Sequence, residues 1–332
     1  WIKNNLIYDR MYNIIQLSNK DLGELQEIAN EMGLKGIWVS VFTAVSAFCN
    51  AGIDIIAENS LCNYATNPLI NIVTSALIIL GGLGYIVWWD VLRVVKSRSL
   101  KNRKIFRHLT LHSKIAITVT AVLILVGAIL IFIFEYANPL TIGEMSLFDK
   151  IQVSFFQSVT TRTAGFASVP QENLTNASAT VSVILMMIGG SPVGTAGGMK
   201  TVTIAVLVCS AFATIRNKNS TTLFGRRISE NSVKKAVAVA VTFLTICATS
   251  TVLLMATSNV SAMDAVYETV SATATVGLSR NLTATLNTFG KLIIIITMYF
   301  GRVGPISLAV ALGRKNESQN VISEPTEDIS IG

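Results

Sequence analysis

The sequence predicts an all-α membrane protein built from repeated units of span, short helix, glycine turn and span. Two observations carry this prediction: a low charge content with long apolar runs, and a pattern that recurs three times at nearly constant spacing. Of the 332 residues, 51% are hydrophobic and 14% are charged, whereas a soluble domain usually carries about 25% charged residues. So few charges cannot cover a water-facing surface, which excludes a soluble protein.

Five stretches are long and apolar enough to cross a bilayer core, which takes about 20 residues. They cover residues 69–89, 115–134, 177–199, 236–263 and 292–313, the last interrupted only by Arg302. The loops at 90–114 and 216–235 are rich in Lys and Arg, whereas those at 135–150 and 258–290 hold one basic residue each. This asymmetry follows the positive-inside rule and predicts cytoplasmic basic loops and a cytoplasmic C-terminus. The net charge of +7 therefore reflects topology, and we expect no nucleic-acid partner.

The internal repeat is centred on Gly52, Gly165 and Gly277, which follow one another at intervals of 113 and 112 residues. Each glycine has an aromatic residue ten positions earlier, a polar residue two positions earlier and a small or β-branched residue directly before it. The three turns are Asn50-Ala51-Gly52, Thr163-Ala164-Gly165 and Thr275-Val276-Gly277. Chance rarely gives such a pattern twice more in register, so the chain contains three copies of one unit.

Each glycine turn is expected on the side away from the basic loops, after a helix too short to cross the bilayer. Such a turn is typical of a re-entrant loop, and non-helical backbone at membrane depth is tolerated only where it is buried in protein or lines a water-filled cavity. For one turn alone, a loop glycine that packs two helices is the simpler interpretation. Three turns in register favour a shared pore.

Backbone carbonyls that replace the water shell of an ion select potassium in channel filters. Pointing consecutive carbonyls inward requires dihedral angles that glycine reaches at low cost, and the short helix before each turn aims its negative end at the ion. The nine residues of the three turns are therefore the candidate selectivity filter. None of the turns continues into Tyr-Gly, so we expect a short filter with weaker discrimination against sodium.

The span at 177–199 contains a cluster of five glycines and one proline. Glycine and proline disfavour a helix interior by about 1 and 3 kcal/mol per residue, so the helix is predicted to end beneath the filter of its unit. The alternative is a helix-packing motif of small residues. The break contains Gly189, Gly190, Ser191, Pro192, Gly194, Thr195, Gly197, Gly198 and Lys200.

Three segments, at 158–166, 189–201 and 290–305, resemble the signatures of the Ktr/Trk/HKT potassium transporters, and most of all the KtrB-type membrane subunit. The resemblance covers essentially the whole chain. It implies four span–pore-loop–span units around a pseudo-fourfold pore, of which three filters are present here. We therefore expect that the chain is truncated at its N-terminus and lacks an upstream unit before Trp1; the alternative is another chain that completes the pore.

On this basis the chain divides into six segments. Residues 1–95 contain the end of the second repeat's first span, its pore loop and its second span; 96–113 form a basic cytoplasmic loop. Residues 114–215 form the third repeat, with its broken second span; 216–232 form another basic loop. Residues 233–313 form the fourth repeat, and 314–332 form a cytoplasmic tail.

The resemblance implies that residues 189–201 form an intramembrane gating loop below the filter. It also places Arg302 in the pore path, where a positive charge raises the barrier for a cation. An arginine at such depth usually faces a cavity or a partner; the alternative is a side chain that snorkels to the interface. Lys200, at the end of the loop, is either a cytoplasm-facing anchor or part of the gate. Arg162 is interpreted as a structural tie behind the second filter.

The family further implies K⁺ as the transported ion with no cofactor in this chain, and it leaves activation by Na⁺ open. The implied partners are the lipid bilayer, a second copy of the chain that is contacted near Gly332, and a cytoplasmic nucleotide-binding ring. The implied location is the plasma (inner) membrane. A membrane enzyme is not expected, because the spans lack a cluster of titratable groups. A non-conducting scaffold and a less selective monovalent-cation channel are the competing interpretations.

Overall fold

A computed structural model describes residues 34–56, 59–96, 105–218 and 220–303 of the chain. These residues are mostly helical, with one short β-hairpin. The helices are α1 Leu34–Phe48, α2 Pro68–Leu83, α3 Tyr85–Lys96, α4 Ile105–His108, α5 Leu111–Glu135, α6 Leu147–Thr160, α7 Asn176–Met187, α8 Thr201–Ile215, α9 Glu230–Thr257, α10 Ala262–Thr273, α11 Leu282–Thr285 and α12 Thr288–Val303. The hairpin pairs β1 Thr222–Leu223 with β2 Arg226–Arg227 in antiparallel fashion.

Two of the described helices, α5 with 25 residues and α9 with 28, are long and apolar enough to cross a membrane. Their outward faces carry exposed apolar side chains, such as Leu125 (58% exposed) on α5 and Val252 (66%) on α9. Apolar side chains in such numbers on the outside of a fold are expected where the surrounding solvent is lipid. The predicted all-α membrane fold is therefore confirmed.

The predicted span at 69–89 is not a single straight helix. Helix α2 ends at Leu83, and α3 begins after Gly84 at an angle of 92° to α2. Gly84 has a φ of +77°, in a region that glycine enters easily and other residues rarely adopt. The predicted span at 177–199 is also broken, because α7 ends at Met187 and α8 begins only at Thr201.

The helices before the glycine turns, α1, α6 and α10, have 15, 14 and 12 residues. At 1.5 Å per residue they span about 18–23 Å, which is less than the hydrocarbon core of about 30 Å. Serine caps begin two of them: Ser146 accepts a hydrogen bond from the amide of Asp149 at α6, and Ser261 accepts one from Asp264 at α10. These caps fix where each short helix starts, and hence where its turn lies.

The units pack around the short helices. Helix α6 packs against α5 of its own unit and against α2 of the preceding one, and α10 packs in the same way against α9 and α7. Helices α6 and α10 are thus each enclosed between a long span and the second span of the preceding unit, whereas α1 packs against α2 of its own unit. The C-terminal ends of α6 and α10 are buried.

Candidate ion-conduction site

The three glycine turns share one unusual backbone conformation. Gly52, Gly165 and Gly277 have φ angles of +65°, +91° and +96°. The polar residue two positions earlier in each turn also has a positive φ, which non-glycine residues rarely adopt; these residues are Asn50 (+50°), Thr163 (+68°) and Thr275 (+55°). Three copies of a strained turn more than a hundred residues apart indicate a common function.

The turns also meet in space, as the repeat predicts. A Cβ added to Gly52 would lie 2.9 Å from the Cα of Gly165, and one added to Gly277 would lie 3.9 Å from the same Cα. Gly165 is therefore in the middle of the group. All three glycines line one cavity of about 420 Å³.

At each contact between neighbouring turns, the glycine of one turn lies against a backbone carbonyl oxygen of the next turn along the chain. A Cβ on Gly52 would collide with the carbonyl oxygen of Ala164, and one on Gly165 would collide with that of Val276. In both cases the oxygen belongs to the residue just before the glycine of the next turn. A Cβ on Gly277 would meet, among the described residues, only the Cα of Gly165. Within the described part of the chain, the group is therefore open on that side.

The cavity above the glycines is acidic. Asp54 and Glu172 line it together with Cys62, and no Lys or Arg of the described residues does so. Cys62 lies in a short 3₁₀ turn, Cys62–Tyr64. Burial, together with the negative charges of Glu172 and Asp54, raises the pKa of its thiol to about 11. The electrostatic potential of this cavity therefore favours a cation.

On the other side of the glycines, residues 188–200 form an ordered loop between α7 and α8. Its two ends are tied together, because the amide of Gly189 donates to the carbonyl of Met199 at 2.9 Å and the amide of Met199 donates to that of Met187 at 3.0 Å. The predicted break in the span is thus a folded loop.

This loop lies against the polar residues of the turns. The amide of Gly197 donates to Thr163 Oγ1 at 3.0 Å, and Thr195 Oγ1 donates to Asn50 Oδ1 at 3.1 Å. A Cβ on Gly197 would collide with Thr275 Oγ1. The three turns thus have the acidic cavity on one side and the loop on the other.

Comparison with known proteins identifies the family. Residues 18–324 match the family model TrkH, described as cation transport protein. This chain belongs to the TrkH family. The TrkH family comprises cation transporters and not enzymes, as predicted for this chain.

Curated relatives of this TrkH-family chain include the Potassium/sodium uptake protein NtpJ of Enterococcus hirae, 37% identical over 303 residues, which cover 90% of this chain and 65% of NtpJ. Another is the Ktr system potassium uptake protein B of Bacillus subtilis, 38% identical over 297 residues, which cover 90% of this chain and 64% of that protein. The chain therefore spans about two thirds of the length of the curated relatives it matches.

Among solved structures, the fold is similar to that titled "Crystal Structure of the Potassium Transporter TrkH from Vibrio parahaemolyticus". The TM-score is 0.65 at 16% identity, and the match covers 86% of this chain and 64% of that chain. This likeness supports the fold.

Two basic side chains predicted at the gate are placed as follows. Lys200 Nζ donates to the carbonyl of Ala196 at 2.6 Å, within the loop itself, and Lys200 and Arg302 lie close enough to repel each other. Arg302 lies one residue before the end of α12, and its side chain is exposed among the described residues. Its place in the pore path stays a prediction. Gly332 and the tail lie outside the described residues.

Arg162, interpreted from the sequence as a structural tie, contacts the loop. Its buried Nη2 donates to the carbonyl of Gly189 at 2.9 Å. A buried guanidinium is costly unless it is hydrogen-bonded, so this contact fixes the start of the loop to the second turn.

Sequence reasoning missed the polar network that joins the second and third turns. Gln171 Oε1 accepts hydrogen bonds from Gln157 Nε2 at 2.7 Å and from Tyr267 Oη at 2.9 Å. All three side chains are buried, so the network joins α6 and α10 through the segment after Gly165. Tyr267 belongs to the repeat as its aromatic residue, but nothing in the pattern identifies its partner.

A second missed residue, Glu268, holds the segment after the third turn. Its carboxylate accepts hydrogen bonds from Ser279 Oγ at 2.7 Å and from Thr283 Oγ1. The side chain is buried in α10. A carboxylate in a short membrane helix is itself a signal of a specific role.

Proposed function

We propose that this chain forms part of a potassium-uptake pore, in which backbone carbonyls of the three turns coordinate the ion and the 188–200 loop acts as the gate. The observation that carries the proposal is the convergence of three identically strained glycine turns on one acidic cavity. Glycine-dependent carbonyl rings are the established chemistry of potassium selection. The names of the relatives NtpJ and Ktr system protein B refer to potassium uptake.

In the proposed path, a cation enters the cavity beside Asp54 and Glu172, whose charges raise its local concentration. It then loses water to the carbonyls of Ala51, Ala164 and Val276 and their neighbours. A fourth element, on the open side next to Gly277, completes the ring. The loop beneath closes the path, and the positive charges of Lys200 and Arg302 raise the barrier for a cation at that level.

The proposal extends to the surroundings of the pore. The protein resides in the plasma membrane with its basic loops in the cytoplasm, and it works as a homodimer with a contact near Gly332. The basic loops around 93–107 and 216–235 form the docking surface for a cytoplasmic nucleotide-binding ring.

A specific observation favours a second candidate, a less selective monovalent-cation channel. None of the three turns continues into Tyr-Gly, and the relative NtpJ is named for both potassium and sodium uptake. The two candidates differ in how strongly Na⁺ competes.

The test is ⁸⁶Rb⁺ uptake into liposomes that contain the purified full-length protein, with protein-free liposomes as the control. For a potassium-selective pore we expect uptake that unlabelled K⁺ suppresses and an equal concentration of Na⁺ does not. Equal suppression by both ions favours the less selective channel. Uptake no greater than in protein-free liposomes would refute both candidates and leave the scaffold interpretation.

A further inference from the structure

We infer that the filter itself holds the gate shut. The polar side chains of the first two turns, Asn50 and Thr163, accept hydrogen bonds that keep the 188–200 loop in its closed position, and we call these two hydrogen bonds the catches. This inference rests on the proposed function, and it assigns to these side chains a role separate from the carbonyls beside them. It also assigns Thr195 as the residue that positions the closed gate.

The first step is that the catches bind neighbouring residues of the loop to different turns. Thr195 Oγ1 lies 3.1 Å from Asn50 Oδ1 and 3.2 Å from the carbonyl oxygen of Phe48. The amide of Gly197 lies 3.0 Å from Thr163 Oγ1. Two residues apart on the loop, these groups reach turns that are 113 residues apart in the sequence.

The second step is that these bonds lie where the path would open. Asn50 and Thr163 are buried, and Gly197 is packed so closely against the third turn that a Cβ would collide with Thr275 Oγ1. The loop therefore contacts all three turns at the same level. A conducting path requires it to leave that level, and its departure breaks both hydrogen bonds.

The third step concerns what stays bound when the catches open. Arg162 holds the carbonyl of Gly189 at 2.9 Å, and the amide of Ser191 donates to the carbonyl of Gly82 at 2.9 Å, beside the bend between α2 and α3. These anchors hold the first residues of the loop. For residues 194–198 to swing away while residues 189–191 remain fixed, the 3.4 Å hydrogen bond from the amide of Thr195 to the carbonyl of Gly81 must break together with the two catches.

The decisive variant is Thr195→Val, which keeps the shape of the side chain and removes its hydroxyl. A neutral hydrogen bond has a modest net value, so its loss from the closed state is expected to raise ⁸⁶Rb⁺ flux through the reconstituted full-length protein about two- to tenfold. Thr195→Ser keeps the hydroxyl and is expected to retain the wild-type flux. The matched control is Thr245→Val, because among the described residues the exposed Thr245 Oγ1 bonds only to the carbonyl of Val241 in its own helix, at 2.9 Å.

A second measurement does not depend on transport. Hydrogen–deuterium exchange of peptides from 189–200 should be faster in Thr195→Val and in Thr163→Val than in the wild type, and unchanged in Thr245→Val. Faster exchange in both variants would support catches that act together on one loop.

The inference would be overturned by either of two results. One is a Thr195→Val protein with wild-type flux and wild-type exchange; the other is a Thr195→Ser protein as leaky as Thr195→Val, which would mean that packing and not the hydroxyl matters. Failure of the proposed function is distinguishable, since the wild-type protein would then carry no ⁸⁶Rb⁺ at all, while the exchange measurement would still test the catches.

Discussion

Replacing Gly165 with alanine tests whether transport requires close contact between the glycine turns, in addition to their positive φ angles. Gly165 has a φ of +91°, where an L-residue is strained by about 1–2 kcal/mol. Its new Cβ would also collide with the carbonyl oxygen of Val276 and lie 3.2 Å from the Cα of Gly52. Restoring van der Waals contact would displace that oxygen by about 1 Å.

That oxygen is one of the proposed ligands, and a misplacement of about 1 Å in a positioned site costs on the order of a hundredfold in rate. We therefore expect Gly165→Ala to lower K⁺ uptake at least about a hundredfold. The assay is growth on limiting K⁺ of a bacterial strain that lacks its own uptake systems, together with ⁸⁶Rb⁺ flux and a measurement of protein in the membrane.

Gly225→Ala is the matched control for backbone strain. Gly225 has a similar φ of +74°, but a Cβ there would meet no atom of the described residues within 4 Å. We expect this variant to carry the strain and keep its transport. If Gly165→Ala were present in the membrane and transported like the wild type, close contact between the turns would not be required and the proposed filter would be wrong.

Three further predictions follow from individual side chains. Arg302→Ala should raise K⁺ flux, because it removes a positive charge beside Lys200; unchanged flux would separate Arg302 from the gate. Tyr267→Phe removes the bond to Gln171 and should lower the unfolding free energy by about 1 kcal/mol, measured as a lower melting temperature of the solubilised protein; no change would mean the bond contributes nothing. Burial beside Glu172 and Asp54 raises the pKa of Cys62 to about 11. In a variant with Cys49, Cys209 and Cys247 replaced by serine, maleimide labelling of Cys62 should therefore be slow at pH 8 and rise about tenfold from pH 7 to pH 8. Labelling at pH 8 as fast as that of the exposed Cys49 would contradict a thiol enclosed beside two carboxylates.

The sequence alone was sufficient to locate the turns and the loop, because both are properties of local chemistry. Gly52, Gly165 and Gly277 are detected by their spacing, since glycine tolerates the positive φ that the turns require. The break predicted at 189–201, which the structure has as a loop at 188–200, is detected because glycine and proline accumulate in an otherwise apolar span. Their meeting in space follows from the repeat.

Other features depend on contacts between distant segments, which periodicity does not encode. The bend at Gly84 divides a stretch that is apolar on both sides of it, and composition alone predicts one span there. Gln171 joins Tyr267 across 96 residues, and Arg162 joins Gly189 across 27. A polar residue in such a sequence can be recognised as unusual, but its partner is fixed only by the packing of the helices.

The most direct test of the central claim is the position of the ion in a crystal structure of the full-length protein grown in RbCl, located by anomalous scattering. We expect a rubidium peak between the turns, coordinated by backbone carbonyl oxygens next to Gly52, Gly165 and Gly277. A rubidium peak bound elsewhere in the membrane domain, with none between these turns, would contradict the account.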